Sequence, residues 1–256
     1  MGKIIAISNQ KGGVGKTTTT INLAAALALK KFKVLVIDID PQANATIGLG
    51  ISRELIDKTS YDLLVSDISA NDVIYRNLDS SFSIIPASNK LVDVFNGLEE
   101  NEKDLILYKK LKEIKNNFDY ILIDCPPTFG ILTNNALFAS DSILIPVECE
   151  YFAYDALTQM VSQINQVQKL KNAYNETLTI EGVLLTKLDN RNLYGYKIIE
   201  KVKELFPDKT FKTIINRSTH LQEAPMHGQT ILQYAFNSRG GKDYRELAKE
   251  IIEANS

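Results

Sequence analysis

The sequence predicts an α/β fold in which a mostly parallel, twisted sheet of about seven or eight strands carries helices on both faces. Short apolar runs alternate with longer helical patterns, and this order is typical of a parallel sheet. Most runs are almost wholly apolar rather than alternating, as expected for strands covered on both sides. The predicted strands are Lys3–Ser8, Val34–Ile39, Phe82–Pro86, Tyr120–Asp124, Ser142–Val147, Gly182–Thr186 and Thr210–Ile215.

Helical patterns occupy the segments between these strands. Residues 51–79 are polar and mixed, and we expect a small helical excursion from the sheet there. No linker rich in proline, glycine or serine divides the chain, so we predict one domain spanning residues 1–256. The predicted helices are Lys16–Lys31, Lys103–Asn116, Ile131–Ala139, Tyr154–Ala173, Tyr196–Phe206 and Lys242–Ala254.

The composition is that of a globular protein and excludes several classes. Of 256 residues, 45% are hydrophobic and 23% are charged, which is too apolar for a mainly disordered chain. The two cysteines, Cys125 and Cys149, exclude a disulfide scaffold and indicate a reducing compartment. No apolar segment is long enough to cross a bilayer, so we expect a cytoplasmic protein without a membrane partner. A net charge of −2 argues against a chain that coats nucleic acid by its bulk charge.

A glycine-rich loop follows the first predicted strand and precedes an Ala/Leu-rich helix. It reads Gln10-Lys11-Gly12-Gly13-Val14-Gly15-Lys16-Thr17-Thr18. Glycines let the backbone turn tightly and direct consecutive N–H groups at one anion beside a helix N-terminus. Lys16 would bring positive charge to the terminal phosphates of a nucleotide, and the Thr17 hydroxyl would ligate Mg²⁺. The order strand, loop and helix predicts a phosphate site, although Gln10 stands where the strict motif has glycine.

Carboxylates stand at the ends of two further strands. Asp38 and Asp40 end the second strand, and Asp124 follows four apolar residues in the manner of a Walker B strand. The carboxyl ends of parallel strands open onto one ligand crevice, where oxygen ligands suit Mg²⁺. Each of these residues has an alternative interpretation, because a single Asp can also merely cap the helix that follows.

Together these motifs resemble the partition branch, ParA/Soj, of the ParA/MinD ATPases. Lys11 before two glycines gives the deviant Walker A motif K-G-G-x-G-K-T of that family. Three more segments look like the partition branch: Asp38–Thr46, Asp124–Pro127 and Leu221–Pro225. The resemblance extends from Lys3 to about Ile252 and implies a P-loop ATPase fold with ATP and Mg²⁺ as cofactors.

The resemblance also implies residue roles. Lys11 resembles the signature lysine that reaches across an ATP-sandwich homodimer to the partner's phosphates, and Gly12 stays small because two backbones meet there. Asp40 resembles the acid that positions the attacking water, and Asp124 the second-shell Mg²⁺ acid. The expected catalytic residues are Lys11, Lys16 and Asp40, and the expected metal-site residues are Thr17, Asp40 and Asp124. The expected nucleotide-binding residues are Lys11, Gly12, Gly13, Val14, Gly15, Lys16, Thr17, Thr18, Asn216 and Ser218.

The base-binding segment departs from the family pattern. The family has Pro-Arg-Asn where this chain has Asn216-Arg217-Ser218, so two of the expected adenine contacts differ. Residues 186–189, which read Thr-Lys-Leu-Asp, look like the guanine-reading segment of signal-recognition GTPases. Because the rest of the chain matches ParA, we expect ATP to be the nucleotide.

The resemblance to Soj further implies non-specific DNA binding by the ATP-bound dimer, a ParB/Spo0J-like partner that stimulates hydrolysis, and association with the nucleoid. Arg191 matches one DNA-contact arginine of the family, and His220 stands where the family has another. Other cations nearby can replace the positive charge of that missing arginine. The expected DNA-binding residues are Arg191, Arg217, His220, Arg239 and Lys242; for any one of them, a solvated charged face is an equal alternative.

Three other functions within the superfamily stay open at this point. A MinD-like membrane role needs a basic amphipathic C-terminal helix, whereas residues 244–253 carry several acids and are typical of a docked helix. An iron–sulfur reductase would use Cys125 and Cys149 as ligands, but neither has that family's glycine-rich context. A positioning ATPase for another cargo, without DNA binding, would use the same nucleotide switch.

Overall fold

A seven-stranded sheet forms the centre of the computed structural model, which describes residues 2–52, 54, 56–76, 82–94, 103–150, 153–189 and 193–255. Its strands are β1 (Lys3–Ile7), β2 (Val34–Asp38), β3 (Tyr75–Arg76), β4 (Ser83–Ile85), β5 (Tyr120–Asp124), β6 (Ser142–Glu148) and β7 (Thr179–Thr186). They lie in the order β3-β4-β2-β5-β1-β6-β7, and every neighbouring pair is parallel except β3 and β4. The predicted mostly parallel α/β sheet is confirmed.

Helices cover both faces of this sheet. The described helices are α1 (Lys16–Leu29), α2 (Asn44–Gly48), α3 (Ser60–Val65), α4 (Ile106–Lys112), α5 (Ile131–Ala139), α6 (Ala153–Asn172), α7 (Leu193–Leu205), α8 (Thr219–Glu223), α9 (Ile231–Tyr234) and α10 (Arg239–Ala254). Helices α3 to α7 contribute to one buried apolar cluster, and α1, α8, α9 and α10 contribute to the other. Burial of the strands on both sides explains why the sequence shows apolar runs instead of alternation.

The register of the central strands brings the carboxyl ends of three strands together. Ile7 of β1 and Asp38 of β2 both lie opposite Asp124 of β5. The loops that follow these strands therefore leave the sheet side by side at its carboxyl edge, which is where ligands bind in open α/β sheets.

The strand predicted at Thr210–Ile215 does not form. Thr210 makes an isolated bridge with Val183, and Asn216 makes one with Leu188. Between these bridges, the backbone N–H groups of Lys212 and Thr213 donate to the Glu250 carboxylate of α10, at 2.8 and 2.7 Å. The N–H groups of Phe211 and Ile215 still donate to β7 carbonyls, but the Thr213 N–H between them donates to α10 instead. No continuous ladder forms, so this prediction was wrong.

The excursion predicted for residues 51–79 is confirmed in part. It contains α3 and a 3-10 turn at Ala70–Val73, but it also returns to the sheet as the short antiparallel edge strand β3. Strand β3 could not be predicted, because two residues carry no readable periodicity. Residues 53, 55 and 77–79 of this segment lie outside the described residues.

The C-terminal helix α10 packs against the body of the protein. Its apolar side chains Tyr244, Leu247, Ala248 and Ile251 are at most 1% exposed. This confirms the interpretation of residues 244–253 as part of a docked helix, because the apolar stripe is buried in the core. Within the described parts of the chain, no helix combines the length and apolarity needed to span a membrane.

Candidate nucleotide-binding site

The glycine-rich loop takes a conformation that its glycines make possible. Gly13 and Gly15 have φ angles of 75° and 94°, in the left-handed region that favours glycine, and α1 begins directly afterwards at Lys16. Thr186, at the end of β7, holds the loop in place: its hydroxyl donates to the Val14 carbonyl at 2.8 Å. The buried Val14 therefore anchors the loop to the sheet, while the neighbouring N–H groups stand at the helix N-terminus that favours anions.

A cavity of about 560 Å³ opens beside this loop. Of the residues expected at a nucleotide site, it is lined by Gly12, Gly13, Gly15, Lys16, Thr17, Thr18 and Asp40. Its other walls come from Ile21, Asn44, Ile47, Gly48, Pro127, Lys187, Pro225 and Met226. Because these residues lie in five separate parts of the chain, the cavity depends on tertiary packing as well as on the loop.

Lys16 extends along the loop from the start of α1. It is 7% exposed, and its Nζ donates to the Lys11 carbonyl at 3.1 Å. Burial lowers the pKa of Lys16, whereas the nearby carboxylates of Asp124 and Asp40 act in the opposite direction. A buried ammonium in this position is poorly solvated, so a phosphate in the cavity would provide the negative charge that it lacks.

Asp124 is held by two hydroxyls of α1. Thr17 Oγ1 donates to Asp124 Oδ2 at 2.7 Å, and Thr20 Oγ1 lies 3.1 Å from Oδ1. The carboxylate is fully buried, and burial followed by the charge of Asp38 raises its pKa. The sequence predicted Thr17 and Asp124 at one metal site but not Thr20, which the helical spacing of i and i+3 from Thr17 would have indicated.

Asp38, the last residue of β2, and Asp40, two residues later, lie in different environments. Asp38 Oδ1 accepts from the Asp40 N–H at 3.1 Å, and Oδ2 accepts from the Thr46 N–H and hydroxyl at 2.9 and 2.7 Å. Burial raises the pKa of Asp38, which is 0% exposed and does not line the cavity. Asp40 does line it, with Oδ1 accepting from the Gln42 N–H at 2.9 Å. Asp38 is therefore a structural anchor, and Asp40 is the acid that faces the cavity.

Lys11 is paired within its own chain. Its Nζ lies 3.1 Å from Glu150 and 3.9 Å from Glu148, and Glu148 also lies 3.4 Å from Lys187 Nζ. Hydrogen bonding to Lys11 lowers the pKa of Glu150. Neither glutamate belongs to a motif, and no sequence signal could have assigned them to Lys11.

Asn216 and Ser218 lie in a neighbouring cavity rather than beside the glycine loop. This second cavity, about 620 Å³, is lined by Leu188, Asp189, Asn216, Arg217, Ser218, Thr219, Gln222 and Arg239. Asn216 Nδ2 donates to Ile214 O at 3.1 Å and to Asp243 Oδ2 at 3.0 Å, which fixes the amide plane. The two cavities border the same turn, since Lys187 lines the first and Leu188 the second.

Four of the five expected DNA-binding residues lie exposed around this second cavity or on the helices beside it. Arg217 and Arg239 line the cavity, His220 lies on α8, and Lys242 lies one turn after Arg239 on α10. Arg239 also lies 3.7 Å from Asp243. The fifth residue, Arg191, lies outside the described residues.

Comparisons with known proteins show which family the chain resembles. A family model described as an AAA domain matches residues 2–180. The chain is 49% identical over 252 residues to the sporulation initiation inhibitor protein Soj of Bacillus subtilis (strain 168), with 98% of each protein covered. It is 43% identical over 253 residues to the chromosome-partitioning ATPase Soj of Treponema pallidum (strain Nichols), again with 98% of each covered. The chain belongs to the ParA/Soj family of partition ATPases.

Solved structures of other proteins have the same fold as this chain. One similar structure is cobyrinic acid a,c-diamide synthase from Mycobacterium smegmatis with a bound ATP analogue and magnesium. It is 27% identical, has a TM-score of 0.84, and is aligned over 99% of this chain and 95% of its own. The predicted P-loop ATPase fold is thereby confirmed.

Proposed function

We propose that this chain is a DNA-partitioning ATPase that dimerises around ATP and Mg²⁺, binds DNA non-specifically, and leaves DNA when a ParB/Spo0J-like partner stimulates hydrolysis. The observation that carries the proposal is the glycine-loop cavity, where Lys16, Thr17 and Asp40 converge at the end of a parallel sheet. The chromosome-partitioning relatives support the cellular role, with the protein in the cytoplasm on the nucleoid.

The donor set of the cavity fits a Mg²⁺–nucleotide complex. The Thr17 hydroxyl and the Asp40 carboxylate line the cavity and suit Mg²⁺, which uses few protein ligands and completes its shell with water and phosphate. The buried Asp124 would act behind them, through its hydrogen bond to Thr17. Among the described residues, no group of three or more His, Cys, Asp or Glu side chains could hold a metal alone. The metal would therefore enter together with the triphosphate, whose charge Lys16 and Mg²⁺ would neutralise. Asp40 would orient the attacking water, since phosphoryl transfer depends mainly on positioning and charge neutralisation.

Dimerisation would give Lys11 a new partner. Its side chain is 30% exposed and paired with that of Glu150, which is 58% exposed, so the ion pair is weak and easily exchanged. The triphosphate of a second copy carries more negative charge than one glutamate. Gly12 supports this arrangement, because a Cβ at that position would meet nothing within 4 Å in the single chain. The space there is open for a second backbone.

Non-specific DNA binding would rest on the exposed cations beside the second cavity. Arg217, Arg239 and Lys242 give three positive side chains per chain, and His220 lies beside them on α8. Six fixed cations per dimer predict a strong salt dependence, a loss of roughly 10³ in DNA affinity between 50 and 200 mM salt. The turn shared by the two cavities makes Asn216 and Ser218 the residues that would contact the adenine base.

Retention on DNA with each nucleotide tests the whole proposal. We expect the full chain to be retained on non-specific duplex DNA with Mg-ATP, to be released by added salt, and to stay unbound with ADP. Failure to bind DNA at low salt with Mg-ATP, while ATP hydrolysis persists, would instead support a positioning ATPase for another cargo.

Three substitutions test the parts separately. Lys16→Ala should abolish ATP binding in a direct titration. Asp40→Ala should still dimerise with ATP but lose hydrolysis, so unchanged turnover contradicts its role. Gly12→Val should bind ATP and remain monomeric in light scattering, since the single chain has room for the side chain. A dimeric Gly12→Val protein would refute the close approach of two backbones.

A further inference from the structure

The segment that carries Asp40 is closed by one buried threonine. Thr46 lies in α2, six residues after Asp40, and is 0% exposed. Its N–H and its hydroxyl both donate to Asp38 Oδ2, and Asp38 Oδ1 accepts from the N–H of Asp40. One carboxylate therefore joins the two ends of the segment 40–46, with Asp40 at one end and Thr46 at the other.

The Thr46 hydroxyl also fixes this segment to another strand. The N–H of Ala87, which follows β4, donates to Thr46 Oγ1 at 2.9 Å. Since an N–H group can only donate, Thr46 Oγ1 accepts there and directs its single proton to Asp38. The hydroxyl thus donates one bond to β2 and accepts one from the segment after β4.

The segment needs such fixing because its backbone is strained. Ala43 has φ 55°, in the left-handed region that costs a non-glycine residue free energy. Strained residues persist where the surroundings hold them in place. Ser60 adds to the frame, because its hydroxyl donates to the Asp38 carbonyl and its N–H donates to the Pro86 carbonyl, both at 2.7 Å.

We propose that Thr46 is a positioning residue for ATP hydrolysis, which acts by holding the Asp40 segment in the geometry that orients the attacking water. Its side chain does not line the nucleotide cavity, so it acts through Asp38 and Asp40 rather than on the substrate. The proposal rests on the proposed role of Asp40. Loss of the hydroxyl leaves the Ala87 N–H and one acceptor site of Asp38 unpaired, and the segment is free to move away from the phosphates.

Steady-state hydrolysis of Mg-ATP by the full chain tests this role. Thr46→Val keeps the shape of the side chain and removes the hydroxyl, and we expect kcat to fall at least tenfold while KM for ATP changes less than threefold. Thr46→Ser restores the hydroxyl and should recover kcat to within threefold of the original protein. Thr19→Val is the matched control, because Thr19 is equally buried and its hydroxyl hydrogen-bonds with Tyr244, at 3.2 Å, rather than with the Asp40 segment. It should leave kcat unchanged.

Two outcomes overturn the proposal: a normal kcat in Thr46→Val, or equal losses in the valine and serine variants. If the valine variant does not fold, the comparison of Thr46→Ser with Thr46→Ala still isolates one hydroxyl, and equal kcat values there refute it. Asp40→Ala in the same assay separates the two claims. If it retains turnover, the role of Asp40 is wrong; if it loses turnover and Thr46→Val does not, only the role of Thr46 is wrong.

Discussion

Replacement of Gly228 by alanine should disturb the nucleotide site, although Gly228 lies far from the glycine loop in the sequence. Gly228 has φ 65°, and a Cβ built there lies 2.6 Å from the Cα of Gly50. Gly50 follows α2, and it also has a positive φ of 72°. The segment before Gly228 contributes Pro225 and Met226 to the wall of the cavity. A side chain at this contact must therefore push apart two backbones that frame the site.

The magnitude follows from two separate costs. An alanine in the left-handed region costs about 1–2 kcal/mol. Because the obstructing atom belongs to the backbone, relief of the overlap requires a shift that costs roughly 1–3 kcal/mol. The expected loss of unfolding free energy is thus about 2–5 kcal/mol, which for a chain of this size lowers Tm by roughly 4–20 °C.

Thermal unfolding and ATP titration together check this prediction. Gly130→Ala is the control, because a Cβ there meets nothing within 4 Å and the backbone is extended. We expect the control to match the original protein in both measurements, and Gly228→Ala to unfold earlier and bind ATP more weakly. The same Tm and the same ATP affinity in both variants would refute the argument from the Gly50 contact.

Three further predictions concern the core. Burial lowers the pKa of Lys171 to about 8, so above that pH the folded chain loses this proton before the unfolded chain does. The unfolding free energy of the original protein, minus that of Lys171→Met, should therefore rise by roughly 1–3 kcal/mol from pH 8 to 10. A difference that does not change with pH in denaturant titrations would contradict this. Cys125 and Cys149 should resist a thiol reagent until the protein unfolds, because both are buried and burial raises their pKa values; rapid labelling of native protein would disprove it. Gly182→Ala should lower Tm, since a Cβ would lie 2.5 Å from the Phe211 ring, and an unchanged Tm would mean that the ring moves freely.

Most of the sheet and the phosphate loop could be predicted because their signals are local. The apolar runs reflect burial of each strand on both faces, and the spacing of Gly13, Gly15 and Lys16 reflects the backbone turn that they form. Thr210–Ile215 has a strand-like composition, yet it forms no continuous ladder with β7, because Glu250, far away in the sequence, accepts from the N–H groups of Lys212 and Thr213. A contact over such a separation leaves no mark in the local pattern.

The roles of the charged residues were less predictable. Asp38 and Asp40 look alike in the sequence, and the motif that contains them does not say which one faces a ligand. The structure separates them through Thr46, whose N–H and hydroxyl occupy Asp38 Oδ2. Similarly, the pairing of Lys11 with Glu150 depends on where β6 ends in space, which the spacing of residues along the chain does not define.

The amino-acid order alone established the alternation of strands and helices, the glycine turn with Lys16 at its end, and the likeness to partition ATPases, because each of these depends on neighbours in the chain. Only the folded arrangement decided which carboxylate is an anchor and which lines the cavity, how Gly50 and Gly228 meet, and that Asn216 borders a second cavity. The physical reason is that a hydrogen-bonding group has few lone pairs and protons. Proximity in space decides which residues pair with those lone pairs and protons, and these residues are often far apart in the sequence.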